Sequence, residues 1–191
     1  MNTTECSVVD PFSLRLDFDT GALAGAAQHL LRRASDMRGY YSNHNALEDL
    51  IVRQNDPVHY EVIEAHVPLE KGHLMFCISK LQPGLVGDEY FMTKGHYHAM
   101  PGTAELYLCL RGRGYIIMKT EQGSFAAEEL FRGRIVYVPP FWAHRSVNTC
   151  LHEPLVSLCI YPAEAGHNYG DIAVQGFPKR LYHRNGVCVI E

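Results

Sequence analysis

The sequence predicts an all-β chain, a barrel-like jelly-roll sandwich of antiparallel strands carrying an N-terminal helix. Three observations predict it. From Tyr60 onward the chain runs in short stretches rich in Val, Ile, Tyr and Phe. Turn-forming pairs punctuate those stretches at Pro83-Gly84, Gln122-Gly123, Pro139-Pro140 and Asn185-Gly186, as between antiparallel strands. Within Glu105 to Leu110 a period of two sets Glu105, Tyr107 and Cys109 on one face and three leucines on the other, so the leucines pack against an outer layer or helix and the mixed face turns toward an interior cavity.

Taken in order, the segment Thr20 to Arg38 reads as the helix. Leu23, Ala26, Ala27, Leu30 and Leu31 fall at helical spacing, and Arg32, Arg33 and Arg38 follow toward the negative end of its macrodipole. A shorter helical piece is expected around Ala46 to Gln54. Asn185-Gly186 lies between Leu181 to His183 and Val187 to Ile190, the chemistry of a two-residue type I′ hairpin. With no internal repeat, low-complexity tract or linker, the chain reads as one domain: an N-terminal strand and helix extension over 1–58, a barrel core over 59–162, and a tail with a hairpin over 163–191.

Composition narrows the function. At 191 residues one hydrophobic core suffices, and 47% apolar with 20% charged residues is an ordinary globular balance. The longest mainly apolar stretches, such as Leu155 to Pro162, are strand-sized, so no membrane span is expected. Met1 to Val9 lacks the basic-then-apolar layout of a signal segment, and cytoplasmic residence is the expectation. A net charge of −4 without a basic stripe argues against nucleic acid as a partner. Of six cysteines, Cys77, Cys109 and Cys159 lie in apolar strand-like runs and no Cys-x-x-Cys occurs, so they read as reduced core thiols.

The chemistry concentrates in Gly95-His96-Tyr97-His98, a His-x-His whose alternate side chains share one strand face and can reach one ion. Glu105 opens the next strand after a turn containing Pro101-Gly102, and His144 follows Gly133 and Pro139. A single histidine is ordinarily structural, and His59, His66 and His73, without partners at ligand spacing, are read that way. His96, His98, Glu105 and His144 can converge only if the strands close into a barrel.

These residues resemble the cupin family. His96-x-His98, Glu105 and Gly112 are similar to its first motif, and Gly133-x5-Pro139-x4-His144-x3-Asn148 to its second. Two departures stand out: Phe141 occupies a position where the second motif carries glycine, and six residues rather than three or four separate His98 from Glu105. The longer spacing, together with the runs Tyr137 to Asn148, Tyr161 to Gly170, Ile172 to Phe177, Ser35 to Met37 and Asp56 to Val62, resembles the cupin-type phosphoglucose isomerases found in archaea and some bacteria.

That resemblance implies an isomerase of glucose 6-phosphate and fructose 6-phosphate, a homodimer, in glycolysis and gluconeogenesis. It implies His96, His98, Glu105 and His144 as metal ligands, Ser79, Thr93 and Gly95 as phosphate contacts, Tyr107 as a sugar contact, and Tyr161 and His167 beside Glu105 in catalysis. Strict alternation sets Thr93 opposite to His96, so the assignment requires a bulge or kink near Gly95. Three imidazoles and a carboxylate suit a first-row divalent ion, with Fe2+ the expectation and Mn2+, Ni2+ or Zn2+ as alternatives; an ion accepting six ligands keeps two positions for sugar oxygens. Glu105 as base along a cis-enediol route and a metal-promoted hydride shift both remain open. A cupin dioxygenase or a non-catalytic sugar-phosphate-binding cupin would use the same ligands. In the bland reading Tyr107 and Tyr161 are strand aromatics, His167 a surface histidine and Trp142 a packing residue; Lys94, Arg111, Arg113 and Arg134 receive no role.

Overall fold

The computed structural model describes residues 6–25 and 28–191. Its largest unit is a six-stranded antiparallel sheet whose strands lie in the order Ile135–Val138, Glu105–Arg111, Leu155–Pro162, Leu74–Leu81, Val58–Glu64 and Gln28–Arg33. A second sheet pairs Phe125–Phe131, Arg113–Lys119 and Ala143–Asn148. Cys77, Leu81 and Cys109 from the large sheet meet Ile116, Leu130 and Val147 from the small one in a single buried cluster. The all-β expectation holds, and no helix among the described residues is long and apolar enough to cross a membrane.

The alternation in Glu105–Arg111 behaves as its sequence requires: Glu105, Tyr107 and Cys109 are buried, while Leu108 and Leu110 join the opposite, outer cluster. Leu14, Leu16 and Leu23 of a short N-terminal hairpin, Arg15–Leu16 with Leu23–Ala24, cover that outer face together with Ile78 and Val156. Each fully buried aliphatic there contributes roughly 1.5–3 kcal/mol.

The expected helix over Thr20 to Arg38 is not formed. Leu23–Ala24 and Gln28–Arg33 are strands, and only Ala34–Met37 is helical, as one 3-10 turn; Ala26 and Ala27 lie outside the described residues. Gly21 and Gly25 take left-handed φ values of 71° and 83°, which interrupt a helix. Beyond them Gln28–Arg33 satisfies its backbone by pairing with Val58–Glu64, from Gln28 opposite Glu64 to Arg32 opposite Tyr60, so tertiary pairing overrides local propensity.

Other local expectations are met. The second helix spans His44–Arg53, with the Ala46 N–H donating to Asn43 Oδ1 at 3.0 Å as its N-cap. Asn185 and Gly186 adopt φ of 51° and 83°, the type I′ turn between Leu181–Arg184 and Val187–Ile190. Phe141 adopts a left-handed φ of 70°, the region that favours glycine, and donates its N–H to the Pro101 carbonyl at 2.8 Å. The left-handed conformation costs a non-glycine residue about 1–2 kcal/mol.

His59 is fully buried against the Phe91 ring, 4.0 Å between centroids. Tyr41 accepts from the Met92 N–H at 3.1 Å and donates its hydroxyl proton to His59 Nε2 at 2.8 Å. Burial pushes the His59 imidazole down to about 3. The unfolded chain therefore binds a proton near pH 6.5 that the native state refuses until about pH 3. Stability is lost as pH falls through that window, by up to about 1.4 kcal/mol per pH unit. Urea unfolding of wild type and His59→Asn at pH 6 and pH 5 tests this: wild type loses roughly 1 kcal/mol more than the variant across the interval, and identical pH slopes would contradict it.

Candidate metal centre and active-site cavity

The site begins with a backbone event at Gly95, whose φ of 75° breaks strand alternation. Before it, Thr93 and Ser146 join backbone to backbone, the Thr93 N–H donating to the Ser146 carbonyl at 3.0 Å. After it, His96 and His144 exchange backbone hydrogen bonds of 3.1 and 3.0 Å. A Cβ on residue 95 would lie 2.9 Å from both Arg145 Cβ and the Phe177 ring and 3.0 Å from the His144 carbonyl oxygen, so glycine is required sterically as well as conformationally. Thr93 and His96, which regular alternation would separate, consequently line the same cavity. Arg145 braces the segment from behind. Its buried guanidinium donates to the Lys94 carbonyl at 2.5 Å and stacks over the Phe177 ring at 4.4 Å.

His96, His98, Glu105 and His144 come together as the motif spacing implies, each offering one ligand atom within 4.8 Å of the others, and could hold a metal ion. Glu105 Oε2 lies 3.0 Å from His98 Nε2 and 3.0 Å from His144 Nε2. Burial alone would raise the Glu105 carboxyl, but the neighbouring His144 charge and contacts from His144 and His98 outweigh it and hold the group well below the usual carboxylate range. Burial, then the charges of His144 and His167, lowers the His96 imidazole well below its ordinary value and keeps it neutral.

The donor set also fits a cation by its hydrogen bonding. Thr103 donates its hydroxyl proton to the Met100 carbonyl at 2.6 Å, so it accepts from His98 Nδ1 at 2.8 Å and turns His98 Nε2 toward Glu105. His144 Nδ1 reaches the Trp142 carbonyl at 3.4 Å, with the same consequence. Among the described residues His96 Nε2 and His144 Nε2 are buried without a hydrogen-bond partner. Imidazole protons facing the Glu105 carboxylate at 3.0 Å are what hold it ionised, and a shared cation would take their place.

A cavity of about 310 Å³ adjoins the cluster, within the range of small-molecule sites. Ser79, Thr93, Gly95, His96, Glu105, Tyr107, Tyr161 and His167 all line it, whereas His98 and His144 do not. The His167 ring lies 4.4 Å from that of His96 and 6.2 Å from that of Tyr161. Burial raises the Tyr107 and Tyr161 hydroxyls and lowers His167, so the phenols keep their protons.

Several lining residues were not anticipated. Tyr60, Val62 and Glu64 share one face of Val58–Glu64; a period-two reading from Tyr60 would have found them. Tyr169 stacks on His167, with centroids 6.0 Å apart and planes at 14°, and lies one alternate position further on in the run already singled out. Gln28 and Leu30 also line the cavity, but carried no signal while their segment read as a helix. Thr103 was hidden in the loop that lengthens the first motif.

A family model described as glucose-6-phosphate isomerase matches residues 31–190 of the chain. A glucose-6-phosphate isomerase of Thermococcus litoralis is 44% identical over 182 residues, covering 95% of this chain and 94% of that protein. Another, from Pyrococcus abyssi, is 44% identical over 177 residues, covering 93% of this chain and 92% of that protein. Among solved structures, an oxalate decarboxylase of Bacillus subtilis aligns with 20% identity and a TM-score of 0.43 over 55% of this chain and 25% of its own.

The Thr103 contact gives the donor-set argument a direct test. Thr103→Val removes the acceptor that orients His98 and should weaken metal binding roughly 10–100-fold with the fold intact, as read by competition with a chromogenic chelator. Wild-type affinity in the variant would show that Thr103 does not orient His98.

Proposed function

This chain belongs to the glucose-6-phosphate isomerase family, and we propose that it interconverts D-glucose 6-phosphate and D-fructose 6-phosphate at His96, His98, Glu105 and His144, as the step linking these sugars in glycolysis and gluconeogenesis. The observation that carries this reading is the distance between two kinds of chemistry in one cavity. Glu105 lies level with Tyr161, whose strand partner is Met75; Ser79 stands four residues along from Met75, about 13 Å at strand rise. That span accommodates an extended six-carbon phosphate with a contact at each end.

Ser79 holds the phosphate at the far end, with Thr93 and Gly95 contributing from the segment that leads into His96. Thr93 Oγ1 accepts from the Ser146 N–H at 3.1 Å, so its own proton is free to donate to a phosphate oxygen. The Arg145 guanidinium behind Gly95, which burial lowers only to about 10, remains cationic near neutral pH and adds favourable potential there. Tyr107 donates to a sugar hydroxyl.

At the near end His96, His98, Glu105 and His144 would hold a divalent ion, Fe2+ in this proposal, with Mn2+, Ni2+ and Zn2+ as alternatives that the same donors accept. Such an ion supplies Lewis-acid polarisation of the sugar oxygens at C1 and C2. Both histidine contacts fall on Glu105 Oε2, leaving Oε1 to take the proton from the carbon beside the carbonyl and return it to its neighbour. The Tyr161 hydroxyl donates to the oxygens, and neutral His167 relays their protons during ring opening. A direct hydride shift between C1 and C2 is the second reading, favoured by the same contacts that depress the proton affinity of Glu105.

We also propose a cytoplasmic homodimer, supported by exposed Ile135 and Tyr137 on an edge strand of the large sheet; light scattering that returns a monomer would remove it.

Glu105→Gln should lower kcat by about 10²–10⁴-fold without unfolding the protein, and chelation should abolish activity that added Fe2+ or Mn2+ restores. Near-normal turnover in the variant removes Glu105 as base, and full turnover in verified metal-free protein removes the ion. Turnover in heavy water separates the two routes: solvent deuterium at C1 or C2 marks proton transfer, and its complete absence assigns the hydride shift.

A further inference from the structure

Two thiols sit on the cavity wall that the proposed chemistry does not use. Cys77 and Cys159 are directly opposite one another on the adjacent antiparallel strands Leu74–Leu81 and Leu155–Pro162. Both are buried, both line the cavity and neither is in a disulfide. Across the sheet they form one row with Tyr107 on one side and Glu64 on the other. Along their strands, Ser79 lies two residues from Cys77 and Tyr161 two residues from Cys159. The thiols thus occupy the middle of the wall, between the two ends assigned above to phosphate and to the reacting carbons.

Pairing geometry decides what this dithiol can do. The Ala163 N–H donates to the His73 carbonyl at 3.0 Å, in the same register and two pairs of alternation away, so Cys77 and Cys159 form a hydrogen-bonded pair, with Cα atoms about 5.5 Å apart. Directly opposed Cβ atoms are then about 4.5–5.5 Å apart, against a mean of about 3.8 Å in a disulfide. Closing an S–S bond would pull the strands together, whereas an inserted atom bonded to both sulfurs spans the remaining gap. Burial and the neighbouring Cys77 also keep the Cys159 thiol protonated, which suits a condensation better than attack on a peroxide.

We infer that Cys77 and Cys159 form a dithiol capture site for trivalent arsenicals inside the active-site cavity, where the adduct blocks the sugar. The step is balanced without an oxidant. An arsenoxide, R–As=O, condenses with two S–H groups to give R–As(S–)2 and one water: two As–S bonds form, the As=O bond is lost, both thiol protons leave on oxygen, and arsenic stays trivalent. The capture stands on the strand geometry alone; the block rests on the sugar-phosphate reading of the cavity.

Phenylarsine oxide titrated into the metal-loaded enzyme tests both. Expected are one arylarsenic adduct per chain by intact mass and parallel loss of isomerase activity. Fructose 6-phosphate slows the loss, and 2,3-dimercaptopropanol reverses it where excess 2-mercaptoethanol does not. Cys77→Ala and Cys159→Ala, each scored against its own untreated activity and by mass, should be at least tenfold more resistant, while Cys109→Ala stays sensitive. No adduct on wild type, or an undiminished adduct on Cys77→Ala, overturns the capture site. An adduct that leaves wild-type activity intact overturns the block, and does so without reference to the metal.

Discussion

The left-handed turn at Gly95, locked by the reciprocal backbone bonds between His96 and His144, is the constraint on which the rest of the site depends. A regular strand would present Thr93 and His96 to opposite sides of the sheet. The kink turns both toward one cavity and sets His96 against His144 on the edge of the small sheet. Glu105 then approaches from the large sheet, so the ligand cluster is where the two sheets are joined. Because a Cβ at position 95 would strike Arg145, Phe177 and the His144 carbonyl together, packing from three directions enforces the conformation.

Burial acts in opposite senses on the groups gathered there. It disfavours charge on His96 and His167 and on the phenols of Tyr107 and Tyr161, leaving neutral groups that donate or accept protons. Glu105 escapes the same penalty only because histidines crowd its Oε2. The cluster therefore holds one anion ringed by imidazole nitrogens, a distribution that a divalent cation would complete and that a dry apolar core would not tolerate. Thr103, beside the four clustered side chains, holds His98 Nδ1 at 2.8 Å and so aims Nε2 at Glu105.

Legibility of the site followed the range of the interactions that build it. The inward face of Glu105, Tyr107 and Cys109 was readable because strand alternation is local, and the Asn185-Gly186 turn because two left-handed residues in succession have few alternatives. The clustering of His96, His98, Glu105 and His144 was readable from the motif resemblance, and so was the kink at Gly95, because the resemblance assigned Thr93 and His96 to one site. The Gln28–Arg33 strand was not: leucines and alanines at helical spacing outweighed Gly21 and Gly25, and the partner that makes it a strand, Val58–Glu64, lies some thirty residues away. With that wall misread, Gln28 and Leu30 were lost to the cavity. Arg145 stood beside a predicted ligand, yet only the assembled structure reveals a guanidinium buried behind Gly95.

X-ray absorption at the edge of the bound metal addresses the central claim most directly, because it counts imidazoles and detects sulfur independently of turnover. The account requires scattering from three imidazole rings, the remaining neighbours oxygen, and no sulfur although Cys77 and Cys159 share the cavity. A sulfur shell, or fewer than three imidazoles, would contradict it.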